Sequence, residues 1–489
     1  MDEEINMSLP AYGNVNNVQL YTVSDAQAFG LASTKSASHS SGIHQSSLDI
    51  SRPASAKPET LDVDLRWHDH RPGARPTEYD VVVVGCGPSG LRLAEQAARR
   101  GLRVCCVDPS PLTAWPNNYG VWLLDESVVS QTWPMTAVIV DDRRTKYLNR
   151  PYGRVSRNGL KTHLLQECTS HGVEFHQAKA WEVKHNEFSS AISCSSGYEL
   201  KANLVVDATG FSSPFVEYDK KRNHGYQIAH GILAEVNCHP FDLDKMLLMD
   251  WRDSHMDSEP YLRPQNSKTP TFLYAMPLNS TLIFLEETSL VSRPILSYTE
   301  IKRRMTARLR HLGIKLKRVI EDEKCLIPMG GPLPKIPQST MAIGGGAGLV
   351  HPSTGYMVVR GLELAPVIAE AMVECLGSTR MVRGRQLRHK MWSSLWTGER
   401  KRAREFYCFG MEMLLRLDLK GTRSFFDAFF DLDNYCWEGF LSSRLSLREL
   451  LLLSLYLFGN ASSKCKWDIV SKCPVPFVRM AGNLAIQST

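Results

Sequence analysis

Three glycines and one carboxylate stand at a spacing that grips a dinucleotide. Gly85, Gly87 and Gly90, in the stretch DVVVVGCGPSG from Asp80 to Gly90, follow the GxGxxG pattern. The first glycine permits a tight turn, the second lets backbone approach a pyrophosphate, and the third lets a helix pack closely on a strand. The helix N-terminus beyond them supplies free N–H groups and partial positive charge for the phosphates. Asp108 ends the next apolar run, where a carboxylate accepts hydrogen bonds from ribose hydroxyls. This chemistry is the binding of FAD or NAD(P). The plain alternative is a glycine-rich turn in some other α/β protein.

A second constellation is the adjacent pair Glu286 and Glu287, after the apolar run Leu282–Leu285. A carboxyl in an apolar pocket stays protonated, because burial disfavours its charged form, and can then act as a general acid. Neighbours on a strand point to opposite faces, so one glutamate faces a cavity and the other is left for an ion pair or hydrogen bond. Taken alone, two adjacent glutamates also read as a solvated strand end. Asp250, Trp251 and Arg252 form a weaker candidate. An aromatic face steadies a cation and an arginine pairs with a carboxylate, but a core tryptophan beside a surface ion pair reads equally well. His351 adjoins a glycine-rich turn, where it contacts a cofactor or caps the turn.

These residues need elements to hold them. Val81–Val84 reads as a strand buried on both faces, Leu91–Arg100 as a helix and Leu102–Val107 as a second strand, the opening of a parallel sheet. Leu204–Val206 is another buried strand and runs into Asp207-Ala208-Thr209-Gly210. Met341–Ile343 leads into Gly344, Gly345, Gly346, Ala347 and Gly348, ahead of a helical stretch from Gly355 to Leu376. Both turns resemble those by which flavoproteins approach their cofactor, which favours FAD over free NAD(P). Residues 215–335 alternate strands with Pro- and Gly-bounded turns, interrupted by a basic amphipathic helix, Ile301–Leu312. The last hundred residues read as helical and aromatic-rich. The expected class is α/β: a Rossmann-like FAD/NAD(P)-binding flavoprotein core over 77–385, with an inserted mixed substrate-binding sheet, and a helical C-terminal cap over 386–489.

Composition narrows the rest. The net charge of +6 over 489 residues makes no case for nucleic acid. The 12 cysteines form no CxxC pair and no zinc-type cluster with histidine, so no metal site and no disulfide framework are expected. No apolar run approaches the about 20 residues that span a bilayer. Residues 1–76 are set apart by a Ser-rich, weakly apolar stretch at Ser33–Ser55 and end in the linker Arg71–Thr77. They read as disordered, either a plain tail or a plastid targeting segment. Phe425, Phe426, Phe429, Phe430, Tyr435, Trp437 and Phe440, followed by Arg444, Arg448 and Leu450–Phe458, suit a membrane interface or the packed interior of a helical cap.

From Trp115–Trp122, WPNNYGVW, the chain resembles the plant lycopene cyclase family. The resemblance continues through RPYGRVSR at Arg150–Arg157, MDWRD at Met249–Asp253, TFLYAMP at Thr271–Pro277 and FLEETSL at Phe284–Leu290. It extends through PMGGPLP at Pro328–Pro334 and HPSTGYM at His351–Met357 to GFLSSRL at Gly439–Leu445. Within the family it is most similar to the chromoplast branch, which includes chromoplast lycopene β-cyclases, capsanthin/capsorubin synthases and neoxanthin synthases. The resemblance implies a plastid isomerase at a membrane surface, open to assembly with other carotenoid enzymes. Its carotenoid substrate is lycopene, cyclised to β-rings, or an epoxy-xanthophyll rearranged to κ-rings. It further implies FAD, reduced by NADPH although no net redox occurs, and the FLEET motif as the acid, with Glu286 favoured. Other flavin-dependent oxidoreductases or monooxygenases share the fold, and a non-catalytic relative is the third reading. Four departures stand out: a shortened segment between Trp122 and Trp133, Glu438 where the family has histidine, Thr397 where it has proline, and the residue Gly346.

Overall fold

In the computed structural model the described residues are 17–18, 59–68, 78–122, 129–211, 213–219, 224–377 and 382–486. Most of the segment 1–76, and with it the disorder and targeting expectations, lies outside them. The folded unit nevertheless opens before residue 77. Leu61 and Leu65 are buried, the Leu61 amide donates to Leu112 O at 2.9 Å and the Phe175 amide to Arg66 O at 2.8 Å. The Pro- and Gly-bearing linker masked this, because two apolar side chains in a polar stretch give little periodicity to read.

The β-branched run at Glu78–Val84 is the centre of a seven-stranded sheet. It pairs in parallel with Val104–Asp108 on one side and Glu199–Asp207 on the other. Glu174–Gln177 and Thr340–Ala342 extend the parallel part, and the hairpin Ala180–His185 with Ser190–Cys194 extends it antiparallel. Burial on both faces explains the unbroken valine run. The helix Pro88–Arg99 lies on one face and the helix Val358–Leu376 packs against it.

A second seven-stranded sheet, the expected inserted sheet, is mixed. Its order is Leu316–Met329, Gly225–Val236, Leu282–Ser289, Thr271–Pro277, Lys245–Asp250, Met135–Asp141 and Arg144–Leu148. The helix Tyr298–His311 covers one face, over Ile232, Ala234, Leu273 and Leu285. The other face, with Tyr274, Phe284 and Ile327, joins the main core shared with the dinucleotide-type sheet. A small sheet of Asn17–Val18, Gly120–Trp122, Tyr152–Val155 and Val129–Trp133 lies alongside. Trp122 and Trp133 both pair with Tyr152, from opposite sides, so the shortened link between them leaves this pairing intact.

From Gly384 to Ile486 the described chain consists of helices joined by short turns. Thr397 caps one of them, Gly398–Leu414, by accepting the Arg400 amide at 3.2 Å, a bond proline could not make. All 12 cysteines are free thiols. Among the described residues no helix is long and apolar enough to cross a membrane.

Candidate active site

The glycine turn has the close contacts its spacing requires. Gly85 has φ of +107°, and a Cβ there would lie 2.6 Å from Ala208 O. At Gly90 a Cβ would lie 2.4 Å from Gly85 O. Gly87 is different, since a Cβ there meets nothing nearer than 3.9 Å. That open space lies at the N-terminus of Pro88–Arg99, which no side chain caps. Asp108 lies beside the turn, its Oδ2 accepting the Cys86 amide at 2.8 Å.

The two other predicted turns converge here. Asp207 is wholly buried, and its Oδ1 accepts the Thr209 amide at 2.8 Å and hydroxyl at 2.7 Å. Burial pushes its carboxyl up, against donors from Ser213 and Thr209. Gly210 has φ of +99° and open space where a side chain would project. A Cβ on Gly345 would press on Phe211 at 3.2 Å, and one on Gly346 would approach Gly210 O at 3.0 Å. Gly346 thus suits its position, where a larger residue needs that carbonyl to move. Gly344 and Gly348 have φ of +68° and +73°. Three strand ends, one uncapped helix N-terminus and open glycine surfaces together fit a dinucleotide diphosphate.

Glu286 and Glu287 diverge. Glu287 faces the helix-covered side, where Arg308 Nε donates to its Oε2 at 2.6 Å and Nη2 to its Oε1 at 3.0 Å. The Thr271 hydroxyl donates to the same carboxylate. Glu286 faces the main core, is 1% exposed, and its Oε2 has no hydrogen-bond partner. Burial, and next the nearby Glu323, push its carboxyl well above the ordinary range. That shift favours its protonated, acid form.

Glu286 belongs to a row that runs across four strands. Tyr274 pairs opposite it on one side and Gly231 on the other, and beyond Gly231 stands Glu323. Directly paired residues share a face. Glu323 is also buried, and burial raises it to about 7 despite hydrogen bonds from Asn118 and Cys325. A Cβ on Gly231 would lie 2.8 Å from the Phe284 ring and 3.5 Å from Glu286 Oε2, so glycine leaves the notch into which both lean.

The WPNNYGVW segment joins this row to the glycine turn. Trp115 Nε1 donates to Cys86 O at 3.0 Å, and Asn118 donates through its amide and, at 3.0 Å, its Nδ2 to Glu323. Gly120 makes room for Tyr274 and Tyr152, whose hydroxyls meet at 3.1 Å. Glu323 and Gly231 lie outside the quoted family motifs, and Asn118 and Tyr274 lie within WPNNYGVW and TFLYAMP with no pattern that marks them there. Glu323 sits in the charged run Glu321–Lys324, which reads as solvated. The available signal was alternation, since Glu323 shares a face with Cys325, Ile327 and Met329.

An apolar cavity of about 320 Å³ runs between this sheet and the C-terminal helices. Phe272, Gln227 and Met249 contribute from the sheet, and Phe426, Met413 and Leu455 from the helices. Phe272 lies in the same-face row next to that of Glu286, about 7 Å along the strands. The aromatics Phe425, Phe426, Phe429, Phe430 and Trp437 are buried and build the cavity wall and its support, which is the cap reading of that run. Tyr435 alone among them is strongly exposed. The outward apolar surface comes later, from Leu451, Leu455, Trp467, Phe477 and Val478.

Asp250, Trp251 and Arg252 are not among the residues lining the cavity. Trp251 stacks behind its wall on Phe426, with ring centroids 5.3 Å apart, and the Arg252 side chain folds back onto Asp250 at 2.6 Å. His351 is fully buried, with Nδ1 accepting the Ser353 amide and its ring 4.1 Å from Tyr407. Burial and the Arg360 charge hold its pKa well below the ordinary range, so it is neutral. Glu438 pairs with Arg150, whose guanidinium lies 5.5 Å over the Trp122 ring.

A family model described as lycopene cyclase protein matches residues 80–466. A capsanthin/capsorubin synthase of Citrus sinensis is 66% identical over 88% of this chain and 86% of its own length. A neoxanthin synthase of Solanum lycopersicum is 62% identical over 92% of this chain and 91% of its own. A lycopene beta cyclase of Arabidopsis thaliana is 54% identical over 88% of this chain and 86% of its own. Among solved structures, a geranylgeranyl bacteriochlorophyll reductase-like protein of Thermoplasma acidophilum superposes with a TM-score of 0.57 at 16% identity, over 83% of this chain and 99% of that one. A flavoprotein/dehydrogenase of Cytophaga hutchinsonii gives 0.53 at 13% identity, over 78% and 100%. Both bear out the flavoprotein fold class.

Proposed function

The chain belongs to the lycopene cyclase family, and from that premise we propose that it closes the ends of linear carotenoids into β-rings without net redox change. The observation that carries this reading is Glu286, a buried carboxyl with its Oε2 unpartnered and its pKa pushed up by burial, one row beyond an apolar cavity. A long polyene lies in the cavity with its end toward the sheet. Glu286 protonates the terminal double bond, a carbocation forms and the ring closes on it. Apolar walls exclude the water that would trap the cation. The aromatic and hydroxyl faces of Tyr274 and Tyr152 flank the same row and steady positive charge.

The residues that would hold FAD are the turn Gly85–Gly90, Asp108, the turn Asp207–Gly210 and Gly344–Gly348. Bound there and kept reduced by NADPH, the cofactor would supply negative charge that steadies a cation. The apolar residues Leu451, Leu455, Phe458 and Phe477 both line the cavity and face outward. We place this surface against the lipid of a plastid membrane, the compartment named for the relatives, from which the polyene slides in.

The greater identity to a capsanthin/capsorubin synthase than to a lycopene beta cyclase, 66% against 54%, favours a second reading. There Glu286 protonates an epoxide oxygen and the ring contracts to a κ-ring ketone. Expression in lycopene-accumulating bacteria tests the first reading: β-carotene is expected, and unchanged lycopene beside folded, FAD-loaded protein would sink it. Feeding antheraxanthin or violaxanthin to the purified protein tests the second through the appearance of κ-ring products.

A further inference from the structure

We propose that Glu323 is the catalytic base that removes the proton when the ring closes, and that it returns this proton to Glu286 across Gly231. This inference rests on the reading of Glu286 as the acid. An isomerisation that begins with a proton gained must end with one lost, so the site needs an acceptor as well as a donor. Glu286 and Glu323 flank Gly231 on the two neighbouring strands and share its face. Two strand spacings put their backbones about 10 Å apart, with the notch at Gly231 between them. Gly231 has no side chain to separate them, and the Glu286 carboxyl leans over it.

Their surroundings differ in the donors they offer. Glu286 has one oxygen with no partner and no ion pair. Glu323 receives the Asn118 amide, Asn118 Nδ2 and the Cys325 thiol, donors that favour the ionised form. The charged groups facing it are Arg157, which lowers it further, and Glu286, which its own charge pushes upward. Glu323, raised to about 7, ionises as pH rises through neutrality, while burial and the neighbouring Glu323 push Glu286 well above the ordinary range.

The step balances. The Glu286 O–H bond breaks and a C–H bond forms at the polyene end from the electron pair of the terminal double bond; the ring C–C bond forms from the pair of a second double bond of the chain, which leaves the cation on the ring. A C–H bond beside the cation then breaks, its electron pair becomes the ring double bond and its proton goes to Glu323. Transfer from Glu323 to Glu286 restores the starting state, with no external oxidant or reductant consumed.

The test uses full-length, FAD-loaded protein and lycopene in liposomes. Absence of ring formation by the unaltered protein would refute the cyclase reading itself. Given an active protein, Glu323→Gln is expected to lower turnover at least 100-fold and to shift surviving product toward rings with a displaced double bond. Glu323→Asp is expected to restore part of the rate. Wild-type rate, product and pH profile in Glu323→Gln would overturn the assignment. So would a low rate with unchanged product and no rescue by aspartate, the mark of a structural role. If Glu323→Gln does not hold FAD, Cys325→Ala decides. Loss of the thiol donor is expected to move the acidic limb of the pH–rate profile to higher pH, and an unmoved limb would overturn the proposal.

Discussion

The Arg308 guanidinium grips the Glu287 carboxylate in two hydrogen bonds, 2.6 and 3.0 Å long, on the face of the strand opposite to Glu286. Both partners are buried, and Arg308 also donates to Arg252 O. Adjacent glutamates thus have opposed duties: one is tied into the scaffold and the other is left without an ion pair. Removing one partner of a buried pair strands the other charge, at a cost of about 3–5 kcal/mol. Glu287→Gln should therefore lower the melting temperature by many degrees. Glu286→Gln should leave it nearly unchanged or raise it, while reducing turnover by about 10²–10⁴-fold, the usual contribution of a general acid. Thermal melts and product analysis on both variants check this. Equal activity loss in two equally stable variants would contradict the division of roles.

This division was half legible from sequence. Alternation along a strand dictates that Glu286 and Glu287 face opposite ways, and the GxGxxG spacing dictates the tight turn at Gly85 and the close helix–strand contact at Gly90. What strand periodicity does not reveal is which strands become neighbours. Glu323 is 37 residues from Glu286 in the chain, and only the register through Gly231 brings them into one row. The same limit applied to the aromatic run Phe425–Phe440. Its composition suits a membrane interface, but packing of Phe426 onto Trp251 and of Phe430 onto Trp437 turns it inward.

Protonation of the two core carboxyls should make stability fall as pH rises. Burial raises both folded-state values, Glu323 to about 7 and Glu286 well above the ordinary 4.5. The folded state then holds protons that the unfolded chain releases, so their stabilising effect is complete below about pH 4.5 and is lost upward. For Glu323 the loss falls between about pH 4.5 and 7 and is on the order of 3 kcal/mol at 1.36 kcal/mol per unit. Denaturant titrations across that window should show a flatter pH slope in Glu323→Gln than in the unaltered protein. An identical slope would mean that Glu323 titrates normally in the fold.

Filling the cavity should separate polyene binding from cofactor binding. Met413 lines the cavity from the helical side, on the helix Gly398–Leu414, and belongs to none of the glycine turns. Met413→Trp places an indole in a space of about 320 Å³. Turnover of lycopene should fall at least tenfold, while bound FAD per chain, read from the flavin absorbance, stays constant. Overpacking of a core typically costs about 1–3 kcal/mol, so a melt on the same sample separates blockage from unfolding.

The outward apolar surface is the last link, because a water-insoluble polyene reaches the cavity only from lipid. Leu451, Leu455 and Phe458 lie on one helix, Leu447–Asn460, Trp467 on the next and Phe477 and Val478 on the last. Burying a leucine or phenylalanine side chain is worth about 1.5–3 kcal/mol, so three of them together supply enough to hold a protein of this size at an interface. Leu451→Ser, Leu455→Ser and Phe477→Ser combined should lower co-sedimentation with neutral lipid vesicles by more than tenfold. If the surface serves as the substrate's route, the triple variant should lose activity on lycopene embedded in vesicles yet retain it on lycopene dispersed in detergent. Equal loss in both would assign these side chains to the cavity wall rather than to the membrane.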